Sequence, residues 1–327
     1  MRDQILKLLN GEKISSTPAF SGLIHITAEG LANEGLSLRE IHHDAEKMAR
    51  AAASTFKLTG MPSATLPLDF CSPAEALGAE LIFYDDEEMQ FPQVKKLLFM
   101  STREVAAIEP TLGGRIPLIC DAIKLLKKDI GEKAVISGLI PGPYTLLIYI
   151  CKAQNLFGEM RNEPQMVMDA LLHLSSFLAE IGNAYLNAGA DFITVHEMGG
   201  SPGFIGPKLF ETFVLPALQT LHQKLNGKRV LSVCGKTDAA MNLLARSGAD
   251  AISVDQLNNL TASRSVLNEV MLFGNVDPVG TLYRGDEVQV REAVQRSKDA
   301  GVDAVWPGCD LVIQTRIEHI KLMTDRR

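Results

Sequence analysis

The stretch RVLSVCGKTDAAMNLLARSGADAISVD, residues 229–255, decides the fold. It opens on a short apolar run, RVLSVC, and closes on another, DAISVD. Between them, DAAMNLLARSG has helical periodicity and ends on a glycine after a basic turn, as a helix C-terminus does. Apolar strands joined by an amphipathic helix form a βαβ unit, and such units build parallel sheets covered by helices. The rhythm continues outward. DFITV (191–195) precedes the stretch, and VMLFGNV (270–276) and DAVWPGC (303–309) follow it. Helical patterns such as PKLFETFVLPALQTLHQKL and EVQVREAVQRSKDAG lie between them. TPAFSGL (17–23), SATLPLDF (63–70) and AVISGLI (134–140) bring the set to eight strands, the number that closes a (β/α)8 barrel. A doubly wound open sheet is the alternative, but no G-x-G-x-x-G turn follows the first strand. The sequence therefore predicts one α/β barrel domain over residues 1–327, with an irregular insertion around 71–115 near its mouth.

Composition narrows the function. The chain of 327 residues is 46% hydrophobic and 22% charged, the balance of a soluble globular protein with a large core. A net charge of -7 argues against nucleic acid or an anionic membrane as the main partner. The longest uncharged run, residues 134–151, is interrupted by Pro141, Pro143 and two glycines, so it reads as strand, turn and helix start rather than a membrane span. Five scattered cysteines, Cys71, Cys120, Cys151, Cys234 and Cys309, read as reduced thiols. The charged N-terminal stretch has no apolar targeting core. A cytoplasmic location is the expectation.

Barrel active sites form at the C-terminal ends of the strands. Asp69, Cys71, His196, Glu197, Cys234, Asp255, Asn275, Asp277 and Cys309 stand there. Cys234 is followed by Gly235 and Cys309 is preceded by Pro307–Gly308, so the chain can turn sharply at both. Two thiolates and one further ligand are the usual donors of a catalytic zinc ion with an open position. Glu197 is the favoured third ligand, with His196 second, because alternating strand side chains cannot both point inward. Glu197, Asp255 and Asn275 are the expected catalytic residues. Asp277, Gly199 and Gly200 are the expected cofactor-binding positions, with Gly199, Gly200 and Gly203 as hinges of the loop HEMGGSPG (196–203). Simpler alternatives stand beside these. Buried cysteines often only pack, the reading adopted for Cys71, Cys120 and Cys151, and Asp255, Asn275 and Asp277 can simply cap backbone in βα loops. His42, His43, His173, His222 and His319 fit helices or loops as packed or solvated residues, and His25 stays open.

The blocks GPKLFETFVLPAL, VLSVCGKT, GADAISVDQ, FGNVDPVGTLYRG and GVDAVWPGCDL, with HHDAEKMARAA and LPLDFCSPAEALGAE nearer the start, resemble the uroporphyrinogen decarboxylase superfamily. They are most similar to its corrinoid-dependent methyltransferase branch, typified by methylcobamide:coenzyme M methyltransferases. The resemblance independently implies the barrel. It also implies a zinc site of His-x-Cys and a later Pro-Gly-Cys, matched here by Cys234 and Cys309 with 74 residues between them. The histidine position is Ser232, a departure that leaves the third ligand open. The decarboxylase branch carries an Arg-Gln-Ala-Gly-Arg segment for its polycarboxylate substrate. The corresponding SGLIHITAEGLANEGLSLRE has only Arg39, which would leave carboxylates unpaired. The expected activity is methyl exchange between a small substrate, a thiol such as coenzyme M, and a corrinoid on a partner protein. Transfer from a methylated amine or ether, a decarboxylase-like reaction and a non-catalytic barrel that binds a corrinoid protein are the alternatives. The corrinoid is expected to come from the partner, because no histidine here has an aspartate two residues before it, as the Asp-x-His-x-x-Gly signature of corrinoid carriers requires.

Overall fold

Eight strands appear in chain order in the computed structural model, which describes residues 1–325. They are β1 (Ser63–Leu66), β2 (Leu81–Ile82), β3 (Gln93–Val94), β4 (Val135–Pro141), β5 (Phe192–Glu197), β6 (Arg229–Val233), β7 (Ala251–Val254) and β8 (Met271–Phe273). β1, β4, β5, β6, β7 and β8 form one parallel sheet in that order, while β2 and β3 pair as a small antiparallel hairpin. Two further wall segments complete the barrel through isolated parallel bridges, Ala19 with Val305, Phe273 with Ala304 and Val276 with Pro307. Phe20 N donates to Val305 O (3.2 Å), and Val276 N donates to Trp306 O (2.9 Å). The predicted strands 17–23 and 303–309 are thus shorter than their apolar runs suggest. Pro18, Gly22, Pro307 and Gly308 fall within those runs, and each limits regular pairing. The seam between the first segment and β1 is held by side chains instead: Ser21 N donates to Ser63 Oγ at 2.9 Å.

Phe20, Phe192 and Phe273 surround Trp306 inside the barrel, with ring centroids 5.2, 6.4 and 5.1 Å from the indole. This plug sets the phase of β5. With Phe192 inward, Thr194 and His196 also point inward, and Ile193, Val195 and Glu197 face the helical layer. Gly22 is needed beside the plug, since a Cβ there would come within 2.7 Å of Trp306. Outside, the helix Pro164–Ala188 buries twelve residues and ends at Gly189 with φ 119°, a left-handed cap that glycine accepts without strain. Residues 71–115 hold the helix Ser72–Ala76, the β2–β3 hairpin and the helix Thr102–Ala106. Arg115 fastens the end of this region to β1, donating to Glu75 at 2.8 Å and to Asp69 at 2.9 Å. Among the described residues, no helix is long and apolar enough to cross a membrane.

Candidate metal centre at the barrel mouth

Three donor atoms converge at the C-terminal rim. His196 Nε2 lies 3.1 Å from Cys234 Sγ, and Cys234 Sγ lies 3.7 Å from Cys309 Sγ. All three ligand atoms fall within 4.8 Å of one another. The cysteines are free thiols, and a sulfur separation of 3.7 Å is far beyond a disulfide bond. It does match two sulfurs each about 2.3 Å from one tetrahedral ion, which lie about 3.7 Å apart. The donor set and its spacing therefore fit a zinc ion, with a fourth position left for another ligand.

Electrostatics favour a cation at this point. The Cys309 thiol is pushed well above its ordinary range by the contact with Cys234 and by burial. Two adjacent thiols cannot both ionise without a nearby positive charge. Burial opposes a charge on His196, yet its contact with Cys309 and the field of Asp310 together raise its pKa. Asp310 stands behind the ring: Oδ2 is 3.6 Å from His196 Nδ1, while Ile24 N donates to Oδ1 at 2.7 Å. His196 Nδ1 is buried and has no closer hydrogen-bond partner. A carboxylate in that place orients an imidazole whose other nitrogen meets a metal. Phe70 packs edge-on against the same imidazole, with centroids 5.2 Å apart.

Glu197, the favoured ligand on sequence grounds, points the other way. Its carboxylate accepts hydrogen bonds from Tyr144 N (3.1 Å), Thr145 N (3.1 Å), Thr145 Oγ1 (2.5 Å) and Gly200 N (2.8 Å). It thereby fastens the end of β5 to the first turn of the helix Pro143–Ile150. Burial raises its pKa, and these same bonds oppose the rise. The residue is fully buried and absent from the cluster around the thiols. The reason is phase: the aromatic plug turns His196 inward, so Glu197 must face out.

The other expected positions brace the rim. Asp255 accepts from Gly235 N at 2.8 Å and from Leu257 N at 2.9 Å, which pins the loop that carries Cys234. Asn275 donates to Asp255 O and Asn258 O. Asp277 caps the turn after it, accepting from Val279 N and Gly280 N. Gly199 and Gly200 lie against the helix Pro143–Ile150, and a Cβ on Gly200 would meet Tyr144 Cβ at 2.7 Å. These two glycines are close-packing positions with no left-handed φ between them. Cys71 is buried, donates to Pro92 O at 3.3 Å and is pushed up to about 12 by burial. His25 ties the first wall segment to β1, its ring nitrogens 2.7 and 3.0 Å from Leu23 O and Ser63 O. Sequence reasoning missed Asp310, although it directly follows Cys309, and Phe70, which gave no signal.

The chain belongs to the uroporphyrinogen decarboxylase (URO-D) family, whose model matches residues 1–327. Within the family it is similar along its length to the methyltransferases. It is 27% identical to a methylcobamide:CoM methyltransferase, MtbA, of Methanosarcina acetivorans, covering 99% of this chain and 96% of that one. A solved methyltransferase structure from Methanosarcina mazei superposes with a TM-score of 0.93 at 25% identity, covering 98% of this chain and 96% of that one. A uroporphyrinogen decarboxylase of Geobacter sp. is 26% identical, over 72% of this chain and 69% of its own length.

Proposed function

We propose that this protein is a zinc-dependent methyltransferase that moves a methyl group between the cobalt of a corrinoid on a partner protein and the sulfur of a small thiol. The observation that carries this reading is the convergence of His196 Nε2, Cys234 Sγ and Cys309 Sγ within 4.8 Å at the barrel mouth. The methylcobamide:CoM methyltransferases that match end to end support the choice of donor and acceptor class.

Cys234, Cys309 and His196 would hold the ion, and His196 replaces Glu197 as the proposed third ligand. His196 is paired in register with Ser232 on the neighbouring strand. The imidazole that the family resemblance implies at 232 is thus supplied from one strand away, at the same level of the barrel. A zinc ion bound there supplies Lewis acidity, which keeps the substrate thiol ionised near neutral pH. Asp310 holds the His196 ring in orientation through Nδ1. Asp255 and Ser201 fix the Cys234 loop, Asp255 through Gly235 N and Ser201 by donating to Cys234 O. Asn275 steadies Asp255 in turn. The glycine-dense loop after β5 and residues 71–115 flank the mouth, where a corrinoid-bearing partner would dock.

Metal analysis of protein reconstituted with zinc tests the reading. One zinc per chain is expected, lost in Cys234→Ala and in Cys309→Ala, with the thiol-dependent demethylation of methylcobalamin lost alongside. Absence of zinc after reconstitution, or zinc indifferent to both substitutions, overturns it.

A further inference from the structure

A cavity of about 620 Å³ is lined by Phe70, whose ring also packs edge-on against His196. Its walls come from the loop after β1, from residues 89–97 in and around β3, and from the end of the helix Pro143–Ile150. Phe70 is therefore a wall shared between this cavity and the His196 imidazole, with ring centroids 5.2 Å apart. Tyr149 also lines the cavity.

The inner walls are Phe70, Phe91, Val94 and Ile148. The neutral polar groups are the Tyr149 hydroxyl, the Cys71 thiol, which burial holds protonated, and two glutamine amides, Gln90 and Gln93, exposed at the outer rim. Among the described residues, no lysine, arginine or histidine lines the cavity. Arg115, whose guanidinium lies 4.9 Å over Phe83, is taken by Asp69 and Glu75. Lys95 is exposed and paired with Glu80. Two cysteine thiolates would also neutralise a divalent ion, leaving no surplus positive charge.

From this lining, resting on the methyltransferase reading above, we infer that the substrate is a thiol whose chain next to the sulfur is apolar and uncharged. Any polar group it carries reaches the outer rim at Gln90 and Gln93. A short thiol sulfonate such as coenzyme M would set its anion among apolar walls without a cation. Burial of an unpaired charge is strongly unfavourable. The acceptor is therefore still a small thiol, but one without the anionic group that coenzyme M carries close to its sulfur.

Calorimetric titration of the zinc-loaded full chain, with methylcobalamin demethylation as a second readout, tests the inference. The probes are 2-mercaptoethanesulfonate, 2-mercaptoethanol and 1-butanethiol. Butanethiol is expected to bind at least about tenfold more tightly than the sulfonate, with the same order in kcat/KM. Leu97→Lys adds a cation at an exposed lining position, so it should shift that ratio at least about threefold toward the sulfonate. Equal or preferred binding of the sulfonate by the unaltered chain overturns the inference and leaves the methyltransferase reading standing. A ratio unmoved by Leu97→Lys shows that the cavity is not where the thiol sits, and also overturns it. Zinc-loaded protein that binds none of the three thiols overturns both.

Discussion

The inner and outer faces of the barrel rim differ by one residue on β5 and by the whole logic of their polar groups. On the outer face, Glu197 accepts four hydrogen bonds from a helix start and a glycine loop. Its acceptor capacity is used by those bonds. On the inner face, His196, Cys234 and Cys309 crowd one another, and Cys309 sits far above its ordinary acidity. One cation could be shared by all three donor atoms, which lie within 4.8 Å of one another. Converging donor atoms suit a shared ligand, whereas a carboxylate already accepting four hydrogen bonds suits a brace.

Substitutions can break this contrast. The largest effect is expected on the inner face: Cys234→Ala or Cys309→Ala should weaken zinc binding by more than about a thousandfold, since a direct ligand outweighs the tenfold to hundredfold typical of outer-shell partners. Competition with a metallochromic chelator reads this, and the metal-free stability should barely move. Glu197→Ala should do the reverse, costing about 3 kcal/mol through unsatisfied Tyr144, Thr145 and Gly200 amides, while the folded fraction keeps its zinc. Denaturant unfolding paired with metal analysis separates the two outcomes, and loss of zinc at native stability would collapse the distinction.

Finer predictions sharpen it. Asp310→Asn should lower zinc affinity about tenfold to a hundredfold by releasing the His196 ring, with the pH dependence of metal binding altered as well. Asp277→Ala should cost about 1 kcal/mol as a lost cap and leave metal affinity unchanged. A change in corrinoid-dependent kcat with no change in stability would instead restore Asp277 to a functional role.

Much of this was legible in the sequence. The strand rhythm of residues 191–309 gave the barrel, because buried parallel strands leave continuous apolar runs. The pair Cys234 and Cys309 was legible because both stand at strand ends beside turn residues. The third donor was not. Alternation required that only one of His196 and Glu197 point inward, but the choice depends on phase. That phase is fixed by Phe192 packing on Phe20 and Trp306, contacts made between distant parts of the chain. Asp255, Asn275 and Asp277 looked chemical from their positions. The backbone amides and carbonyls they meet in the fold are contacts that no spacing rule records.

The register of β5 against β6 carries a wider consequence. His196 and Ser232 are rung-mates, side by side on one level of a parallel ladder. A donor can therefore move sideways from one staff to the next and still look into the same space. The double exchange His196→Ser with Ser232→His would move the imidazole back across the ladder, and a search keyed only to the linear motif would pass this chain by.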